Sequence, residues 1–157
     1  MIAADRLNMD QLKLVALDKD DLEVVSAHLQ DAVVNPAEVL WRPGENRVVI
    51  ALDRFDWEAA ACNDRPAYRR RRAALRFDRV LSCRSRDVDV AAASPLSLLA
   101  VEFSETSAPS GTVTLFFSGQ ATFRLDVECL EVELVDIGPA RDAGICPAHK
   151  ISDDIPG

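Results

Sequence analysis

The stretch Thr112–Asp136, TVTLFFSGQATFRLDVECLEVELVD, alternates apolar and polar residues on both sides of Gly119-Gln120. Period two predicts strands, and a glycine-containing turn between two such runs predicts a hairpin. Apolar positions are odd-numbered at Phe123, Leu125, Val127 and Cys129, then even-numbered at Leu130, Val132 and Leu134. One extra residue near Cys129-Leu130 would keep them on one buried face, so a long strand bent by a β-bulge is expected. Acidic Asp126, Glu128, Glu131 and Glu133 take the opposite side throughout.

Two further hairpins read outward from this one. Glu38–Arg42 and Arg47–Asp53 flank Pro43-Gly44-Glu45-Asn46, residues that supply both the fixed and the positive φ of a tight turn. A strand near Ala73–Arg86 is expected to pair with Leu96–Phe103 across an alanine-rich connection ending at Ser94-Pro95. Leu12–Leu17 is a short strand. After it, Asp18 is a helix N-cap, Asp20 and Asp21 put negative charge in the first turn, and Leu17 with Leu22 forms a hydrophobic staple. Leu22, Val25, Leu29, Ala32 and Val33 then make one helical stripe until Asn35-Pro36. The predicted fold is α+β: one N-terminal amphipathic helix on a curved, mostly antiparallel sheet of about seven strands. A half-closed β-barrel plugged by the helix is the alternative.

Hydrophobic residues at 48% and charged residues at 28% are the balance of a folded chain, not a disordered one. Residues 12–140 are expected to form one domain between a flexible N-terminus, 1–11, and a loosely held tail, 141–157. Val88–Val101 is too short and too interrupted to span a bilayer, and residues 1–10 do not read as a secretory signal. A cytoplasmic location follows, with Cys62, Cys83, Cys129 and Cys146 reduced.

Charge is unevenly distributed. The chain carries −8 overall, yet nine of its eighteen Lys and Arg residues lie between Arg65 and Arg86 beside one acid, Asp78. Arg65, Arg69, Arg70, Arg71, Arg72 and Arg76 form an anion-binding candidate, with Tyr68 and Trp57 as neighbouring aromatic faces. Pairing of these arginines with the acidic strand competes with that reading and needs no ligand. Arg79 falls in phase with inward Leu75, Phe77, Leu81 and Cys83, so it is either buried and paired or marks a slip of phase.

Motif chemistry is sparse. Cys146-Pro147-Ala148-His149 has one pair of metal-type ligands where a structural zinc needs four. His28 lies at the flank of the helix stripe, and no nucleophile elbow accompanies either histidine. No cofactor, metal or catalytic residue is assigned. The leading expectation is a non-enzymatic module that binds an anionic protein or ligand through its arginine-rich segment. A nucleic-acid binder for RNA or single-stranded DNA is the second, although a net charge of −8 argues against general affinity for polyanions. A small enzyme using Asp53, Asp56 and Glu58 near Trp57 is the third. Self-association through unlike charged strands belongs with the first.

Four segments carry a resemblance: LKLVALDKDDLEVVSAHLQDAVV (Leu12–Val34), LDRFDWEAA (Leu52–Ala60), RRRRAALRFDRVLSCRSR (Arg69–Arg86) and RLDVECLEVELVDIGPA (Arg124–Ala140). In order and spacing the chain resembles a domain-of-unknown-function family of small, uncharacterised alphaproteobacterial proteins. The resemblance implies a bacterial cytosolic domain in which the arginine run and Arg54–Trp57 belong to the family pattern. It implies no activity, cofactor or catalytic residue.

Overall fold

A computed structural model describes residues 11–55, 69–89 and 94–142, with backbone only at 69 and 139–142. The chain order is β1 (Lys13–Ala16), α1 (Lys19–Leu29), β2 (Ala32–Arg42), β3 (Arg47–Phe55), β4 (Arg69–Phe77), β5 (Val80–Arg86), β6 (Leu96–Ser107), β7 (Ser110–Phe117), β8 (Thr122–Val127) and β9 (Val132–Asp142). All nine strands belong to one antiparallel sheet, ordered β1-β9-β4-β3-β2-β6-β7-β8-β5.

This architecture corrects the predicted one. The described residues form a nine-stranded sheet with one α-helix, not an α+β fold with about seven strands, and the sheet is not closed into a barrel. Two stretches that read as single strands are each two. Ala73–Arg86 breaks at Asp78-Arg79, where Arg79 turns to φ 63°, and the bulge expected at Cys129-Leu130 is a link between β8 and β9. The predicted pairing of Ala73–Arg86 with Leu96–Phe103 is absent: β4 pairs with β3 and β9, and β5 pairs with β8.

The two breaks lie side by side. Asp78 N donates to Glu131 O (3.0 Å) and Glu128 N donates to Arg79 O (2.9 Å), so the β4/β9 ladder passes into the β5/β8 ladder across one bend. A slip of period two in both strands is therefore a shared corner. Val80, just beyond it, donates to Asn46 O (2.9 Å) at the turn after Pro43–Glu45. The two halves of the bent sheet enclose one core, drawn from Ile50, Leu75 and Leu134 on one side and Val113, Leu115 and Leu125 on the other. Phe117 and Phe123 meet edge to face within it, with centroids 5.8 Å apart.

Helix α1 begins where its cap dictates. Asp18 Oδ1 accepts from Asp21 N (2.8 Å), and Leu22, Val25 and Leu29 are buried as α1 packs against β1, β3 and β6. It ends earlier than predicted. Asp31 adopts φ 66° and donates its N–H to Leu98 O, and Ala32 and Val34 are buried by strand alternation, not as part of a helical stripe. Asn35-Pro36 sits inside β2, in the register shift between Val34 and Val39, where a proline's missing N–H disturbs the ladder least. Gly138-Pro139 similarly falls within β9, opposite a shift between Arg71 and Ala73, so regular structure continues to Asp142. Among the described residues no helix is long and apolar enough to cross a membrane.

Candidate functional site

Strand alternation divides the arginines of β4 between two faces. On the outer face, Arg72 donates to Glu38 (2.7 Å) and approaches Asp53 (3.5 Å). The hydrogen bond to Glu38 raises the Arg72 pKa above its ordinary value, with burial acting against it. Arg76 pairs with Asp78 (3.0 Å) and, directly across the ladder, with Glu133 (2.9 Å). Arg70 donates to the backbone carbonyls of Asp31 and Asp53 (both 3.3 Å) and lies 5.9 Å from the Phe55 ring centroid. At the corner, exposed Arg79 reaches Glu128 (3.8 Å) and Glu131 (3.5 Å). Arg47 joins the same network through Asp78 (2.7 Å), and that hydrogen bond raises its pKa.

On the inner face lies a group that sequence reasoning did not assemble. Arg54 and Arg71 are direct cross-strand partners, both buried, and buried Asp136 faces them from β9. Arg54 grips Asp136 with both prongs of its guanidinium, Nε to Oδ1 (2.8 Å) and Nη2 to Oδ2 (2.9 Å), and Arg71 Nε lies 3.9 Å from Oδ2. Oδ2 also accepts the backbone N–H of Leu12 (2.7 Å), while Asp136 N donates to Leu12 O, which ties the approach to β1 onto β9. Of the two readings of Arg79 the slip of phase holds, and the buried arginine of β3 is Arg54. Its signal is phase: Val48, Ile50, Leu52 and Arg54 share the inward parity of β3, as Val132, Leu134 and Asp136 do in β9.

Of the predicted site residues, Arg70, Arg71, Arg72 and Arg76 are thus brought onto β4, but on opposite faces of it. The side chain of Arg69 lies outside the described residues, as do Arg65, Tyr68 and Trp57 with its neighbours Asp56 and Glu58, and Cys146 and His149. Among the described residues no group of three or more His, Cys, Asp or Glu side chains is placed to hold a metal ion.

A different arginine surface forms on the outer face of β5, β8 and β7. Cross-strand register sets three rows there: Ser82, Asp126 and Thr112; Arg84, Arg124 and Thr114; Arg86, Thr122 and Phe116. Asp126 is held by Ser82 Oγ (2.9 Å), Thr112 Oγ1 (3.1 Å) and Arg84 Nη2 (3.2 Å). Arg86 and Arg124 form no ion pair with any described residue, unlike Arg72, Arg76 and Arg79. Arg84 and Arg124 stand directly opposite one another, an arrangement of like charges that costs stability. With Asp87, Thr114, Phe116, Gln120 and Thr122 these arginines line a concavity of ≈ 530 Å³, in which Phe116 is 37% exposed. Sequence reasoning had Arg84 and Arg86 within the basic segment and missed Arg124 and Phe116. Arg124 shares the outward parity of Asp126, and is the one cation on that side of β8.

The sequence profile of the family described as Protein of unknown function (DUF2948) matches residues 12–149. The chain belongs to this family. The match runs from the residue whose amide binds Asp136 through every strand after it, so the bent sheet and its corner lie within the family's domain. No curated protein and no solved structure matches the chain.

Proposed function

We propose that this member of the family is a non-enzymatic binding module whose contact surface is the outer face of β5, β8 and β7, and whose ligand is an anionic protein surface. The observation that carries this reading is Arg84 opposite Arg124 with Arg86 beside them: of these three only Arg84 pairs with a described acid, Asp126, whereas outward Arg72, Arg76 and Arg79 are each matched by acids. Facing guanidiniums repel, and a carboxylate between them relieves that repulsion while accepting two planar, forked sets of donors. Thr114, Thr122 and Gln120 supply hydrogen-bonding groups around the charges, and Phe116 supplies an apolar face at one end. The segment Arg70–Arg79 is then mainly structural, binding β4 and the corner to the acidic strand. The bacterial, alphaproteobacterial and cytoplasmic setting of the reading rests on the sequence resemblance.

Fluorescence anisotropy of a labelled poly-glutamate peptide tests it. Wild-type protein should bind at low salt and lose affinity as salt rises, because exposed charges are screened. Arg86→Glu/Arg124→Glu should abolish binding, and Arg79→Ala, at the corner, should leave it unchanged. A double variant that binds like the wild type overturns the proposal.

A further inference from the structure

We infer that the partner is an extended acidic segment of another protein that adds itself as a tenth strand to the free edge of β5. The inference rests on the binding reading above and supplies the geometry of the bound chain. Strand β5 is the last in the sheet, paired with β8 on one side only. Its first residue, Val80, is occupied by Asn46, but no described strand pairs with the outer edge of Ser82–Arg86. Those five residues span about 16 Å, enough for a short added strand, and alternate residues direct N–H and C=O groups away from β8. Such an edge binds extended peptides by main-chain hydrogen bonds.

Charge then selects the occupant. Ser82, Arg84 and Arg86 point to the outer face at every second position, and Arg124 lies one strand further in. An added strand would place its own alternate side chains beside Arg84 and Arg86, where acids are stabilised and bases repelled. Between them, Cys83 and Ser85 face the other side, with Cys83 half-buried against the core. The fitting sequence therefore alternates an acidic residue with a small or apolar one. A second copy of β5 is disfavoured in this position, since pairing edge to edge would bring arginine against arginine. A nucleic acid would meet the same arginines, but its phosphates offer no donor to the carbonyls of the edge, and the chain's −8 charge repels a long polyanion.

The test uses the full-length protein and three labelled forms of one short peptide alternating Glu and Val. One is unmodified. The second is N-methylated at the alternate amides that would face β5, and the third at the other set, which would face solvent. Strand addition requires tight binding of the first and third forms and a loss of roughly tenfold or more for the second, since each methyl removes a donor to the edge. Equal binding of all three, still abolished by Arg86→Glu/Arg124→Glu, overturns strand addition and leaves the anion-binding face intact. Failure of every form to bind overturns both. Labelled oligo(dT) bound through Arg86 and Arg124 while the peptides fail would also overturn both, and assign the face to single-stranded nucleic acid. Because the methyl groups are on the peptide, the comparison of the three forms does not depend on a variant's folding.

Discussion

Replacing Asp136 with alanine removes the one carboxylate that Arg54 grips with two hydrogen bonds, that lies 3.9 Å from Arg71, and that holds the Leu12 amide. All three charged side chains are buried, so neither guanidinium recovers full hydration when the acid is gone. Breaking a buried pair in this way costs about 3–5 kcal/mol. Arg54→Met should cost less, about 1.5–3 kcal/mol, because Asp136 keeps the Leu12 N–H and the nearby Arg71 charge. The order is the informative part: it distinguishes an acid shared between two arginines from a simple isolated pair. Urea unfolding followed by far-ultraviolet circular dichroism measures both. With a slope of about 2 kcal/mol/M, the Asp136→Ala midpoint should fall on the order of 2 M below wild type. If Asp136→Ala costs no more than Arg54→Met, the carboxylate is not the common counterion and the account of the buried cluster is wrong.

Two other perturbations test the packing. A Cβ added at Gly111 would lie 2.5 Å from Ser104 O and 2.6 Å from the Phe103 ring, so Gly111→Ala should cost about 1–3 kcal/mol and lower Tm by roughly 2–12 °C. Gly44→Ala, with nothing within 4 Å, is the control, and an unchanged Tm for Gly111→Ala would contradict the close approach of β6 and β7. Burial raises the pKa of Cys83, which keeps its thiol protonated at pH values where a free cysteine begins to ionise. Iodoacetamide should therefore alkylate Cys83 in the folded protein more slowly than in guanidinium-unfolded chain at pH 8. Equal rates, read site by site by mass spectrometry, would contradict this.

Much of the local structure was legible because its causes are local. The N-cap at Asp18, the turn through Pro43–Asn46 and the turn at Gly119-Gln120 all occur where residue chemistry places them. The strand count was not, because a change of phase has the same appearance in sequence whether it is a bulge or a corner. Phe77 and Val80 are both buried across the Asp78-Arg79 break, and Val127 and Leu130 across the other, so each break keeps an apolar rhythm while changing the strand's position in the sheet. Asn35-Pro36 and Gly138-Pro139 misled for a related reason: punctuation that ends regular structure in isolation is accommodated inside a sheet at a register shift.

By itself the sequence determined the inward residues Phe123, Leu125, Val127, Val132 and Leu134 of β8 and β9, where α1 starts, and that arginines and acids segregate into separate segments, but it put Leu81 inward where the structure leaves it 54% exposed. Those properties depend on neighbours a few positions away. Only the tertiary structure decided which strands meet, and with that which charges cancel. β4 lies against β9, so Arg76 finds Glu133 and Arg54 finds Asp136. β5 lies against β8, so Arg84 stands directly opposite Arg124 and reaches an acid, Asp126, only from the neighbouring row. Pairing partners separated by tens of residues are chosen by how two bent ladders share one core, and a linear pattern of charge contains no record of that choice.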